Sequence, residues 1–216
     1  MSMKGEFMSE GTHAPLSIDI SSRLDEQIKS RERVRDLAEV FTHEREVNDM
    51  LDLVPDMFID IDSRFLEPAC GTGNFLVEIL GRKISLISES IHGGSPLWYE
   101  FALLRCIASI YAVDISAENV AESRNRLLVM LDAAHALHGE PMSEGFLRAA
   151  NEILETNVVL GDSLSAATEI VFVEYEALEG EKFKRTPSHL EEPEIDLFYL
   201  PPEQLETVHF SMLGKD

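Results

Sequence analysis

Short, wholly apolar runs alternate along this chain with longer stretches in which apolar residues recur at helical spacing. Residues 1–20 carry neither pattern. They are polar, contain Gly, Ser and Pro, and predict a flexible tail. From 22 to 41, Leu24, Ile28, Val34, Leu37 and Phe41 recur near helical spacing among many charges. Thr42 then stands where a helix cap would, and Val47, Met50, Leu51 and Val54 supply the stripe of a second helix, with Pro55 placed to end it. Residues 21–60 therefore read as an N-terminal helical segment.

Beyond that segment the period changes. Arg64-Phe65-Leu66 begins a short buried strand, a glycine-spaced turn follows, and a helix begins at Asn74. Residues 97–110 are apolar enough for a largely buried helix, with Trp98 in the core. Tyr111-Ala112-Val113-Asp114 reads as a second strand, its tyrosine also a core residue, and it ends in an acid. Ser116 is a good N-cap, and Val120, Leu127, Leu128 and Leu131 line one face of the helix after it. Residues 157–160 form a third strand, ending in Gly161-Asp162. Strand followed by helix, three times over, predicts an α/β domain over 61–216, a largely parallel sheet with helices on both faces. Further on, 170–175 reads as an extra strand in a hairpin across 180–183. Residues 195–200 give another strand, stopped by Pro201-Pro202, and the acidic run 191–194 a solvated loop.

Composition narrows the class. The chain has 216 residues, 44% of them hydrophobic, which suits one sizeable core. No apolar run is long enough to span a bilayer, and the N-terminus lacks the pattern of a signal peptide. Two cysteines, Cys70 and Cys106, imply no disulfide framework, so a reducing, cytoplasmic location is expected. Forty acids against 18 lysines and arginines give a formal charge of −22. Non-specific DNA binding rests on cations that neutralise phosphates, so this balance argues against the chain gripping DNA alone; DNA is then a substrate only within a larger assembly. Acidity that simply keeps a protein soluble is the other reading.

The richest chemistry lies in the turn Pro68-Ala69-Cys70-Gly71-Thr72-Gly73. Glycines after a strand let a ligand approach the backbone, and the following helix contributes free N–H groups. In an open parallel sheet this edge is where ligands bind, and an acid ending the next strand, Asp114, can accept both hydroxyls of a ribose. The chain lacks G-x-x-x-x-G-K-[ST], which removes a nucleoside-triphosphate loop, and Gly71-x-Gly73 without a third glycine is a poor dinucleotide fingerprint. Glu67 would repel a pyrophosphate and suit a cation, such as the amino and sulfonium groups of S-adenosylmethionine.

The run Glu67-Pro68-Ala69-Cys70-Gly71-Thr72-Gly73-Asn74-Phe75-Leu76 resembles the cofactor motif of adenine-N6 DNA methyltransferases from restriction–modification systems. The likeness covers about residues 30–165. Ala38-Glu39-Val40-Phe41-Thr42 is similar to the segment that lies over the methionine end of the cofactor in that family. Tyr111 to Ile115 resembles its ribose-binding strand, and residues 157–164 its adenine-side strand. The resemblance implies a Rossmann-like class I methyltransferase core. It places Phe41, Thr42, Glu67, Pro68, Ala69, Cys70, Gly71, Gly73, Asn74, Asp114, Ile115, Asp162 and Ser163 around S-adenosyl-L-methionine.

Two departures stand beside it. His43 occupies the place of the family's proline. The family's [ND]-P-P-[YF] loop, whose acceptor holds the flipped adenine's amino group and whose aromatic stacks on it, has only Leu200-Pro201-Pro202-Glu203 as counterpart. Leucine offers no acceptor and glutamate no aromatic face. Two main readings follow: a methyltransferase acting on adenine N6, or a non-catalytic cofactor-binding subunit whose catalytic loop and target recognition lie on a partner chain. A small-molecule methyltransferase is a third. Other features carry less. His135 and His138 read as an exposed pair without a third metal ligand, Cys70 as a packing residue, and Lys182-Phe183-Lys184-Arg185 as a basic surface loop.

Overall fold

Three short apolar runs become the parallel strands β1 (Phe65–Glu67), β2 (Ile110–Asp114) and β3 (Val158–Leu160), in the order β1-β2-β3. Phe65 aligns with Ile110, and Ala112 with Val158. The computed structural model describes residues 42–90, 95–136, 141–191 and 205–215. The tail, the helix over 22–41 and the strand over 195–200 fall outside these residues.

β2 lies centrally and is buried along its whole length. Five helices are described: α1 (Glu44–Leu51), α2 (Asn74–Ser90), α3 (Pro96–Ala108), α4 (Ala117–Ala136) and α5 (Glu144–Asn157). The chain runs through α2 and α3 between β1 and β2, and through α4 and α5 between β2 and β3. Both crossovers step the same way across the sheet, and right-handed connections then place their helices on one face. Ile110, Ala112 and Val158 meet Leu76, Leu80, Leu104, Leu127 and Ile153 in the main core there.

The opposite face is covered differently. Tyr111 and Val113 pack on Ile170 and Phe172 at the start of an antiparallel sheet of β4 (Val171–Leu178), β5 (Lys182–His189) and β6 (Leu205–His209). Among the described residues, helices on both faces are therefore not found. β3 leads not to a third helix but to the hairpin expected across 180–183, which turns at Gly180 with φ +74°.

Several boundaries differ from expectation. His43 rather than Thr42 caps α1, its N–H donating to Glu46 Oε2 at 2.9 Å. The helix ends at Leu51, and Pro55 opens a separate 3-10 turn over Pro55–Phe58. Only Val47 and Leu51 of that stripe are buried, and they share the core of α2. Ile110 belongs to β2, and Asn157 closes α5 rather than opening β3. The basic segment 182–185 is not a loop: it begins β5, where Phe183 is buried against Phe101 and Tyr175 and Lys184 pairs with Glu176 at 3.0 Å. His135 is buried too, its ring between Tyr99 and Phe146, so it is no exposed histidine; His138 lies outside the described residues. Trp98 packs at the margin of the core and Tyr111 within it.

One interior polar group fixes the entry to β1. Lys83 of α2 is fully buried, and its ammonium donates to the carbonyls of Ile61 (2.7 Å) and Ser63 (2.6 Å) and to Ser109 Oγ (2.8 Å). Three donors meet three acceptors, which is what a buried ammonium requires. Burial pushes its pKa down to about 8, against the pull of Asp62 and Asp60. Among the described residues no helix is long and apolar enough to cross a membrane.

Candidate functional site

The turn after β1 closes locally through Gly73 N–H to Cys70 O at 2.9 Å and is held in place by tertiary bonds. Cys70 N–H donates to Val113 O at 2.9 Å, continuing the parallel ladder past the strand. Gly71 N–H then donates to Asp114 Oδ2 at 2.8 Å. The other oxygen, Oδ1, accepts Ser116 N–H at 2.8 Å and Asn119 Nδ2 at 3.1 Å. A carboxylate has about four acceptor positions, so most of Asp114 is used to hold the loop and the start of α4. One position is left for a ligand, in place of the two-hydroxyl clamp expected from sequence.

From α4, Ser123 Oγ donates to Gly71 O at 3.0 Å, and Arg126 Nη1 to Thr72 O at 2.7 Å and Asn74 Oδ1 at 2.8 Å. Asn74 Nδ2 in turn donates to the carbonyl of Thr42 at 3.0 Å, which brings the upstream segment to the turn. From the third strand's loop, Ser163 Oγ donates to Pro68 O at 2.8 Å. The predicted residues Thr42, Glu67 to Gly71, Gly73, Asn74, Asp114, Ile115, Asp162 and Ser163 thus share the carboxyl edge of the sheet. Phe41 and Leu200, Pro201, Pro202 and Glu203 lie outside the described residues. Asn119, Ser123 and Arg126 were not among the predicted residues; their signal is a polar stripe at helical spacing on α4.

Both glycines adopt positive φ, +53° at Gly71 and +85° at Gly73. At Gly73 the reason is packing: an added Cβ would stand 2.8 Å from Ser123 Oγ and 3.3 Å from its Cα. The close approach that the sequence assigned to a ligand is here the approach of α4.

Three carboxylates, Glu67, Asp114 and Asp162, mark this edge. Burial raises the Glu67 pKa, opposed by the N–H of Ala69, which donates to its Oε1 at 3.2 Å. Asp162 is exposed and held below the usual carboxylate range by the Ser165 hydroxyl and by the N–H groups of Ser165 and Leu164. Ile115, Leu160 and Leu164 leave apolar surface exposed here, at 60%, 56% and 96%. Among the described residues, no cluster of three or more His, Cys, Asp or Glu is placed to hold a metal.

Cys70 is buried, and burial pushes its thiol up to about 12, with the charges of Asp114 and Glu67 adding to the effect against a bond to Ser123. It is a packing residue with no thiolate to offer a substrate. The folded chain keeps this proton while the unfolded thiol loses it from about pH 9 upward, so stability falls as pH rises above 9. The slope is up to about 1.4 kcal/mol per pH unit for each such thiol. Cys106, also pushed to about 12 by burial, adds to the same limb. Urea midpoints from pH 8 to 10.5 are expected to fall less steeply in Cys70→Ala than in the natural chain.

Comparisons with protein-family models, with curated proteins and with solved structures return no match.

Proposed function

We propose that this chain is a Rossmann-like, S-adenosylmethionine-binding protein of the adenine-N6 DNA methyltransferase type found in restriction–modification systems. The observation that carries the reading is the turn 68–73 at the carboxyl end of β1, bonded through Gly71 to the acid that ends β2. Glu67, Asp114 and Asp162 suit a ligand with ammonium and sulfonium groups and disfavour a pyrophosphate. Ile115, Leu160 and Leu164 supply apolar surface suited to a purine. The bond from Asn74 to Thr42 supports a role for the upstream segment at the same edge.

S-adenosylmethionine, when bound, supplies an electrophilic methyl group. Glu67 would hold its ammonium, the remaining acceptor position of Asp114 one ribose hydroxyl, and the fixed turn would orient the whole. What the chain does not offer at Leu200 to Glu203 is an acceptor for an adenine amino group or an aromatic face for the base. That observation favours a second reading, in which a partner chain contributes the catalytic loop and the recognition of DNA.

Calorimetric titration with S-adenosylmethionine tests the first reading. Binding in the micromolar range is expected, weakened about tenfold or more in Glu67→Ala, since a charged hydrogen bond contributes about 1.5–3 kcal/mol. Glu67 accepts only the Ala69 N–H within the turn, so the variant keeps its fold. Absence of heat at millimolar cofactor overturns the proposal. Methyl transfer to adenine-containing DNA by the chain alone would decide against the partner reading.

A further inference from the structure

The chain leaves α1 through residues 49–60, where apolar side chains are interleaved with the carboxylates of Asp49, Asp52, Asp56 and Asp60. Two apolar residues anchor the run: Leu51 is buried in the core, and the Phe58 ring stacks on Phe65 with centroids 4.9 Å apart. Successive turns fix the rest. Leu53 N–H donates to Met50 O at 3.2 Å, Val54 N–H to Leu51 O at 3.2 Å and Met57 N–H to Val54 O at 3.1 Å. Met50, Leu53, Val54, Met57 and Ile59 are left exposed, Leu53 and Ile59 at 80%. Single exposed apolar residues are ordinary, but five within ten residues, on a support anchored to the core, mark an interaction surface. We propose that residues 49–60 dock a basic amphipathic segment of a partner protein, which sets an apolar stripe on Leu53 and Ile59 and lysines or arginines on the carboxylates around them.

Charge decides the class of partner. Asp49 meets Arg45 at 3.7 Å with both side chains largely in water, and Asp52 meets Arg82 at 2.7 Å, a guanidinium that Glu78 shares at 2.9 Å. Asp56 and Asp60 pair with no lysine or arginine among the described residues, and neither do the exposed Glu44 and Glu46 of α1. The two further cations whose charge reaches Asp60 are spent elsewhere. Lys83 gives its donors to Ile61 O, Ser63 O and Ser109 Oγ, and Arg105 is held by Asp62. The surface is therefore apolar within an anionic frame even after its ion pairs are counted. A second copy of the chain would set the same carboxylates against each other across a symmetric contact. Nucleic acid or an anionic lipid surface would likewise meet like charge. A basic segment meets opposite charge, and its apolar stripe takes Leu53 and Ile59 out of water. An amphipathic helix supplies both faces at once. Nothing in this surface depends on a bound cofactor.

The test is titration of the full chain, at physiological ionic strength, with a synthetic helix that carries leucines on one face and lysines on the other. Two control peptides of the same length replace leucine by serine or lysine by glutamate. The leucine–lysine peptide is expected to bind saturably by calorimetry and to shift NMR amide signals over 49–60, while each control binds about tenfold more weakly or worse. Leu53→Ser combined with Ile59→Ser should weaken the peptide about tenfold or more. Both side chains are too exposed for that change to disturb the core. Asp56→Asn combined with Asp60→Asn should weaken it several-fold, with a larger effect at low salt. Val129→Ser, which removes an apolar residue 60% exposed on α4, should change nothing. Equal binding of the serine peptide, the sign of simple attraction to an acidic surface, overturns the proposal. So does unchanged binding in the Leu53→Ser, Ile59→Ser chain, or no saturable binding at all. Self-association of the natural chain that the same double variant abolishes would assign the surface to a second copy, and it overturns the proposal too.

Discussion

Lys83→Met will lower the stability of the fold by about 2–4 kcal/mol at pH 7, because two opposing effects of that size do not cancel. Methionine strands acceptors that the ammonium now satisfies. Ser63 O is the most exposed to this loss, since Ile61 O also accepts from Ser109 Oγ at 2.9 Å. Three bonds from a charged donor, at about 1.5–3 kcal/mol each, outweigh the removal of a buried charge, whose cost is about 3 kcal/mol for a pKa moved from 10.5 to about 8. The pH dependence supplies an independent check. Between pH 8 and 10.5 the unfolded lysine holds its proton while the folded one has released it, so the folded natural chain gains stability as pH rises. The difference between the natural chain and Lys83→Met should therefore widen by about 1.4 kcal/mol from pH 7 to 9. Taking the difference removes the opposite trend of the cysteines. Denaturant midpoints of the two proteins at both pH values measure it.

Gly73→Ala will be nearly as damaging, about 2–4 kcal/mol, from strain at φ +85° together with overpacking against α4. Ser123→Ala does not relieve it, because the new Cβ also stands 3.1 Å from Ser123 Cβ and 3.3 Å from its Cα. Gly71→Ala has φ +53°, inside the left-handed region open to other residues, and should cost only about 1–2 kcal/mol. Thermal melts of the three variants test the order. If Gly73→Ala melts with Gly71→Ala, the packing account of this turn fails.

The strands and the turn were legible because each is local. β1 and β2 are short apolar runs, β2 ends in an acid, and Gly71 and Gly73 punctuate the strand-to-helix passage. α5 was missed for a physical reason: Ala149 and Ala150 make much of its buried face, so no apolar run marks it. The signal was Ser143, a cap whose Oγ accepts Phe146 N–H, followed by Phe146, Ala150, Ile153 and Leu154. Lys83 reads as a surface charge on any amphipathic helix, although it shares the buried face of Leu76, Leu80 and Ile87. That Asp114 is mostly occupied by the protein, and that Gly73 makes room for Ser123, depends on where α4 comes to rest. No window of sequence around the turn contains that information.

The bonds that hold this turn also set when it can form. They span 43 residues to Asp114, 52 to Ser123 and 95 to Ser163, and long loops must close before such contacts stabilise anything. At about 5–20 residues per second on a ribosome, Ser163 follows Pro68 by roughly 5–20 seconds. β1 can complete its parallel ladder once β2 has emerged, but through the rest of that interval the turn after it lacks its bond to Ser163. The carboxyl edge thus closes only once Ser163 has emerged, and the amino edge, where Arg64 meets Glu174 across 110 residues, closes later still.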